Sequence, residues 1–201
     1  LVSSFKEKIR LSSPVFSMTR KDGKVEIKLS SDNDQIETFD AVVIATHSDQ
    51  ALKLLSDKTS LEEEILSALP YQKNEALLHT DHSVLPKNKL AWASWNYNLD
   101  QESEEPVALT YNMNILQSLN LLDTFCVTLN SNGLVNSTKV IKKLKYDHPL
   151  FTVEGIAAQK RKNEINGVNN TYFCGAYWRN GFHEDGVVSA LDVAKKFGLS
   201  L

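Results

Sequence analysis

Two stretches carry residue types suited to ligand chemistry. The first, Tyr172 to Gly198 (YFCGAYWRNGFHEDGVVSALDVAKKFG), runs an apolar strand into Gly175, then an aromatic, glycine-rich loop, then an amphipathic helix. A strand that stops at a glycine and hands over to a helix N-terminus commonly faces a phosphate or a polarised carbonyl. Gly175 lets a backbone come close to a ligand, and a helix starting near Asp185 or Gly186 would turn its first free N–H groups and positive dipole end toward it. Within the loop, Tyr177, Trp178, Phe182 and His183 are suited to line a flat ligand, with His183 as a base or hydrogen-bonding group; an aromatic loop is more often packing than catalysis. The buried stripe of the helix is expected at Val187, Val188, Leu191 and Ala194.

The second stretch is FDAVVIATHSDQALKLL, Phe39 to Leu55. It reads as a strand apolar on both faces, ending in the small residues Ala45 and Thr46 and opening into a helix with Ser48 as its N-cap. Ligands of open α/β sheets bind at that carboxyl edge, although a core strand followed by a surface helix has the same pattern. His79 and His82 (HTDH) invite a metal reading, but a strand points i and i+3 to opposite faces and no third ligand stands out. No metal is expected.

The elements that must position these residues are legible from periodicity. PVFSMTR, the turn KDGK and KVEIKLS form a hairpin, followed by the polar turn SSDNDQ and the FDAVVIAT strand. SLEEEILSAL is a helix with capping-box spacing from Ser60 to Glu63, ended by Pro70. KNEALLHTD, LAWASWNYN, EPVALTYNMN and DTFCVTLN are strand-length, rich in apolar and aromatic residues, and separated by turns such as LPKNK and LDQESEE: an antiparallel sheet, with NILQSLN a short helix or turn. Trp95 and Tyr97 share one face of it and, with Tyr111, can wall an apolar substrate pocket, or equally line the sheet's inner face. TVEGIAAQKRKNEI is a helix ended by Asn166-Gly167.

The class is therefore α+β, a mixture of α/β and antiparallel parts. The expected division is 1–56 with 166–201 as one discontinuous domain and 57–165 as an antiparallel insertion. The chain has 201 residues, 42% of them hydrophobic, a net charge of −3 and two cysteines. That balance excludes a nucleic-acid footprint and a disulfide framework, and favours a cytoplasmic location. No apolar run approaches a membrane span.

In this order the two motifs resemble the family of FAD-dependent oxidoreductases that includes amine oxidases, protoporphyrinogen oxidase and phytoene desaturases. LHTDHSVLP, AWASWNYN, TYNMN, HPLFT and YFCGAYWRNGFHEDG are similar to a bacterial branch described as predicted NAD/FAD-binding or amine-oxidase-like proteins. The resemblance implies FAD as cofactor and a small or apolar substrate that is oxidised or desaturated through the flavin. It implies that 57–165 is the substrate-binding domain and that the remainder belongs to the FAD/NAD(P)-binding domain. By the same resemblance Val15 meets the adenine, Ala45 and Thr46 lie near the dinucleotide, Gly175 is the glycine of the C-terminal strand, and Gly186-Val187 start the helix at the flavin pyrimidine. Ala176 departs from the pattern, since the family usually has an acidic residue there. The family's G-x-G-x-x-G loop is also missing. The chain, which opens on Leu1, therefore reads as a C-terminal piece, inactive alone, whose open surface favours a homodimer. A non-catalytic binding module derived from the same fold is the alternative.

Overall fold

The computed structural model describes residues 2–30, 36–99 and 107–199. They form two compact units, residues 1–71 with 149–201 and residues 72–148.

In the first unit, β1 (Val15–Lys21) and β2 (Lys24–Leu29) form an antiparallel hairpin. Asp22 and Gly23 both take positive φ, 51° and 72°, the two-residue turn whose twist matches the flanking strands. β3 (Ile36–Phe39) pairs antiparallel with β2. Here the structure corrects the single strand expected across FDAVVIAT. Phe39 closes β3, the chain breaks at Asp40, which pairs with Lys24, and only β4 (Val42–Ile44) continues. β4 runs parallel to β10 (Thr171–Phe173). One apolar run thus serves two sheets, and an exposed ion pair marks the change.

Helices α1 (Ser48–Leu54) and α2 (Ser60–Ser67) follow. Their caps sit one residue earlier than expected. His47 is the N-cap of α1, because the Ser48 hydroxyl is buried and donates to the Leu69 carbonyl at 2.8 Å. Thr59, not Ser60, caps α2: the Glu62 amide donates to Thr59 Oγ1 at 3.1 Å and the Thr59 amide to Glu62 Oε2 at 2.7 Å. Both registers satisfy the capping-box spacing, and Arg20 decides between them. Its guanidinium, 4% exposed, reaches both oxygens of Glu62 at 2.9 and 2.8 Å and Asp57 at 3.0 Å. Glu63 in that position would leave the buried arginine unpaired.

α4 (Val153–Lys160), capped by Thr152, and α5 (His183–Lys196) complete this unit. Ile65, Leu66 and Leu69 from the α2 region and Ala158 and Ile165 from the α4 region share one core with Met18, Val25, Ile44, Phe173 and Trp178. The expected boundaries 57 and 165 therefore differ from the structural ones at 71/72 and 148/149, since both helices bury their apolar sides in the first unit.

The second unit is a five-stranded sheet in the order β6 (Trp95–Asn98), β7 (Ala108–Asn112), β8 (Cys126–Leu129), β5 (Tyr71–His79), β9 (Val140–Pro149). Pairings β6–β7, β7–β8 and β8–β5 are antiparallel, and α3 (Met113–Leu116) follows β7. Its register produces two unlike faces. Rows Trp95–Tyr111–Val127–Leu78 and Tyr97–Leu109–Leu129–Ala76 make one apolar face. On the other, Thr110, Thr128, Asn112, Cys126 and His79 are all buried. This buried face carries polar residues held by a chain of hydrogen bonds: the Asp81 amide donates to His79 Nδ1 at 3.1 Å, so Nε2 carries the proton and donates to Thr128 Oγ1 at 2.8 Å, which pairs with Thr110 Oγ1 at 2.8 Å, while Asn112 Nδ2 is buried without a partner. Burial lowers the His79 pKa, in keeping with that neutral ring.

The polar turns expected at 30–35 and 99–105 lie, apart from Ser30 and Leu99, outside the described residues. Among the described residues no helix is long and apolar enough to cross a membrane.

Removing the Arg20 guanidinium strands Glu62 without its counter-charge. Arg20→Ala should cost about 3–5 kcal/mol in urea unfolding, whereas Arg10→Ala, at an exposed pair with Glu37, should leave the unfolding midpoint nearly unchanged. The Asp81 carboxyl, 2% exposed, gives a pH signature. Burial opposes its ionisation, but donors from Asn136 N (2.9 Å), Ser83 Oγ (2.8 Å) and Ser83 N (3.2 Å), with the Lys139 charge, hold its pKa well below the usual carboxylate range. A depressed folded-state pKa stabilises above the unfolded value, near 4, and that contribution fades as pH falls further. Thermal unfolding followed from pH 7 downward should show a shallower acid slope for Asp81→Asn than for the wild type.

Candidate functional site

The parallel pair β4–β10 ends where the chemistry is expected. The Cys174 amide donates to the Ile44 carbonyl at 3.1 Å, so Ala45-Thr46 and Gly175-Ala176 leave the sheet side by side at its carboxyl edge. Three side chains from the flanking sequence hold β10 in place. Asn166, buried, accepts from the Phe173 amide at 2.7 Å and donates to the Phe173 carbonyl at 3.3 Å, acting as a substitute strand along the outer edge of β10. Trp178 Nε1 also donates to the Phe173 carbonyl, at 3.2 Å. Ser189 on α5 accepts from the Gly175 amide at 3.1 Å and so ties the helix to the strand end.

Gly175 is required by space. Its φ of 164° is ordinary extended backbone, but a Cβ would lie 2.4 Å from the Tyr177 ring. Tyr177 and Trp178, 3% and 4% exposed, lie in the core with their rings 4.9 Å apart, not on an open loop. The Tyr177 hydroxyl is buried without a hydrogen-bond partner, and burial raises its pKa. Gln159 Nε2 secures the same loop, donating to the carbonyls of Tyr177 and Arg179 at 2.8 and 2.7 Å.

α5 begins at His183, two to three residues before the expected start. Asp185 explains the shift: its buried carboxylate accepts from the amides of Asn180 and Phe182 at 3.2 and 3.0 Å, closing the first turn from within. The Gly186 amide donates to the Phe182 carbonyl at 3.3 Å, so Gly186-Val187 occupies the helix body and the amides of His183 and Glu184 form its open end. His183 itself is exposed. The buried stripe is Asp185, Ser189 and Val193, spaced by four, and Val187, expected inside it, is 50% exposed. Two polar buried positions out of three defeat a reading based on hydrophobic periodicity.

Val15, Ala45 and Thr46 do come together. With Met18, Val43, Ile44, Gln50, Lys53 and Leu54 they line an open, mainly apolar depression of about 510 Å³ in the first unit. That size lies within the range of small-molecule sites. Gly175, Ala176, Gly186 and Val187 are absent from its lining and stand at the neighbouring strand end and helix; the nearest atom to a Cβ built on Gly186 is the Ala176 amide, 4.0 Å away.

In the second unit Trp95 and Tyr111 meet edge to face at 6.1 Å across β6–β7, with Tyr97 on the same face. Burial raises the Tyr111 pKa, while Trp95 and Tyr97 are 48% and 63% exposed. The arrangement is an open aromatic platform. Trp95 and Tyr97 also border a groove of about 520 Å³ with Pro86, Ala91, Ala93 and Leu134.

Solved structures share this architecture. A protein assigned as protoporphyrinogen oxidase from Exiguobacterium sp. 255-15 aligns over 94% of this chain and 47% of its own, with a TM-score of 0.64 and 14% identity. A conjugated-linoleic-acid-producing fatty acid isomerase from P. acnes gives a TM-score of 0.61 at 14% identity over 93% of this chain and 48% of that one. A putrescine oxidase variant redesigned in cofactor binding gives 0.59 at 9% identity over 96% and 50%. The fold is the one these proteins share. It is also the fold of the FAD-dependent oxidoreductases that the sequence motifs resemble, and the chain spans about half the length of the structures it matches. No protein-family model matches the sequence, and neither does any curated protein.

Asn166, Ser189, Asp185 and Gln159 emerge only from the structure as the residues that shape the strand end and loop. Asn166 had a signal in its Asn-Gly helix stop, whereas the others looked like ordinary helix residues. Ser189→Ala leaves the half-buried Gly175 amide without its acceptor and should lower stability by about 1 kcal/mol. Hydrogen exchange should show accelerated exchange at Gly175 in that variant and none at β6 or β7, in the other unit.

Proposed function

We propose that this chain is the C-terminal portion of an amine-oxidase-like, FAD-dependent oxidoreductase acting on a small or apolar substrate. The observation that carries the reading is the convergence of Val15, Ala45 and Thr46, separated by about 30 residues of sequence, on one apolar depression at the carboxyl end of β4. The small side chains of Ala45, Thr46, Gly175 and Ala176 leave backbone accessible to a flat ring system and its phosphates. These residues fit one part of a dinucleotide, with the other contacts coming from polypeptide of the kind that fills the second half of the matching structures.

FAD, when bound, supplies the redox chemistry. The chain's own residues bind and orient. In the first unit the depression receives the adenine end, and the open amides at His183 and Glu184 favour a negative or polarised oxygen, assisted by the helix dipole. In the second unit Trp95, Tyr97 and Tyr111 give an apolar substrate an aromatic surface to lie against. His183, exposed at that helix end beside the equally exposed Glu184, is the candidate for a base or for a hydrogen bond to the ring.

Titration of FAD, followed by quenching of flavin fluorescence, tests this on the chain and on a form extended at its N-terminus. The extended form should bind FAD and turn yellow. Ala45→Trp, which fills the depression, should weaken that binding at least about tenfold, a change of about 1.4 kcal/mol. Retention of flavin at wild-type affinity by the Ala45→Trp variant would move the cofactor elsewhere.

A further inference from the structure

The two edges of the second unit's sheet are built differently. At one edge β9 exposes Lys142, Lys143, Lys145 and Asp147, residue types that keep a free edge from pairing. At the other, β6 reads Trp95-Asn96-Tyr97-Asn98, with neither charge nor proline. Register tells which of its backbone groups are unused. The Asn112 amide donates to the Ser94 carbonyl at 2.9 Å, and bonding to an antiparallel partner alternates along a strand. Asn96 and Asn98 therefore bond β7 opposite Thr110 and Ala108, while the amides and carbonyls of Trp95 and Tyr97 point away from it. Among the described residues no strand lies on that side.

A slot borders this bare edge. The groove of about 520 Å³ is lined by all four β6 residues in succession, so it follows the edge of the strand rather than one face of the sheet, and the segment 83–87 forms its far wall. That wall is fixed from behind. The Pro86 carbonyl accepts from Trp92 Nε1 at 2.8 Å, and the Ser83 hydroxyl donates to Asp81 at 2.8 Å. The Leu85 amide is spent on the His82 carbonyl at 3.1 Å and Pro86 has none, so neither offers β6 a donor.

From this we infer that the slot receives one extended segment of polypeptide, which adds a strand to β6 through the backbone of Trp95 and Tyr97. Outward amides and carbonyls at alternate residues are matched by extended backbone, and the four residues of β6 offer it about 13 Å. Apolar side chains on one face of the added strand continue the rows that end at Trp95 and Tyr97. A second copy has the wrong shape for the slot, because its own β6 carries another 83–87 wall on the same side. The segment belongs to polypeptide N-terminal to this chain, a step that rests on the proposed function. This chain aligns with only 47% and 48% of two matching chains, and a tethered strand binds at high effective concentration.

Hydrogen exchange resolved at single amides, on this chain and on the form extended at its N-terminus, tests the inference. In this chain the Trp95 and Tyr97 amides should exchange fast while that of Asn96, bonded to β7, is protected. In the extended form both should slow at least about 100-fold. Tyr97→Pro removes one outward amide and spares the β6–β7 bonds, so it should preserve the circular dichroism of this chain and cancel the added protection at Trp95 in the extended form. An extended form that binds FAD while Trp95 and Tyr97 exchange as fast as before would overturn the inference and leave the flavin reading standing. Protection without FAD binding would uphold the added strand and count against that reading. Protection that arises in this chain alone and grows with its concentration would assign the edge to a second copy and overturn the inference.

Discussion

The first unit depends on three residue pairs. Val42, Val43 and Ile44 meet Thr171, Tyr172 and Phe173 in parallel across roughly 130 residues of sequence. Closing so long a loop is entropically unfavourable, and two three-residue strands supply few hydrogen bonds against it. The structure meets this by surrounding the pair. Asn166 supplies the missing strand on one side, Trp178 and Ser189 anchor the strand end, and Phe173 and Ile44 sit in the core with helices packed around them. The carboxyl edge where Ala45 and Gly175 emerge is thus the product of contacts made well away from any ligand.

Burial of polar groups is the second organising constraint, and it works differently in the two units. In the first, charge is buried in a compact cluster: Arg20 is matched by Glu62 and Asp57, and the same Glu62 caps α2. One side chain thereby fixes the helix register and the hairpin position together. In the second, the buried face of the sheet is a chain of neutral hydrogen bonds through His79, Thr128 and Thr110. The bonds among these three side chains form in one register only, which sets the strand pairing tightly. The consequence is an inverted sheet, whose apolar face is free to carry Trp95, Tyr97 and Tyr111 in the open.

These constraints also explain what could be seen in the sequence. The hairpin, the helices and the antiparallel sheet follow from periodicity and turn residues, whereas the resemblance alone singles out Val15, Ala45 and Thr46, which line one depression. Errors clustered where a polar side chain is buried. Ser48 looked like a cap because its hydroxyl was assigned to local backbone, whereas it bonds Leu69. α5 seemed to begin near Asp185 because an acidic residue beside a glycine suggests a helix start, whereas that carboxylate folds back on Asn180 and Phe182. The apolar FDAVVIAT run reads as one strand because hydrophobicity does not reveal a change of partner. Tyr177 and Trp178 looked available because they stand in a glycine-rich loop, and the structure packs them inside.

A site assembled in this way divides its labour between rigid and open parts. Gly175 and Tyr177 lock together, since the ring occupies the space a side chain at 175 would need. By contrast the depression near Val15 and Thr46 and the exposed start of α5 at His183 are open. The closed elements are those that set geometry, and the open ones are those we propose as ligand contacts. Buried aromatic rings in the terminal loop therefore belong to the support of the site, and variation at Trp178 should be felt through the Phe173 carbonyl it holds rather than through contact with substrate.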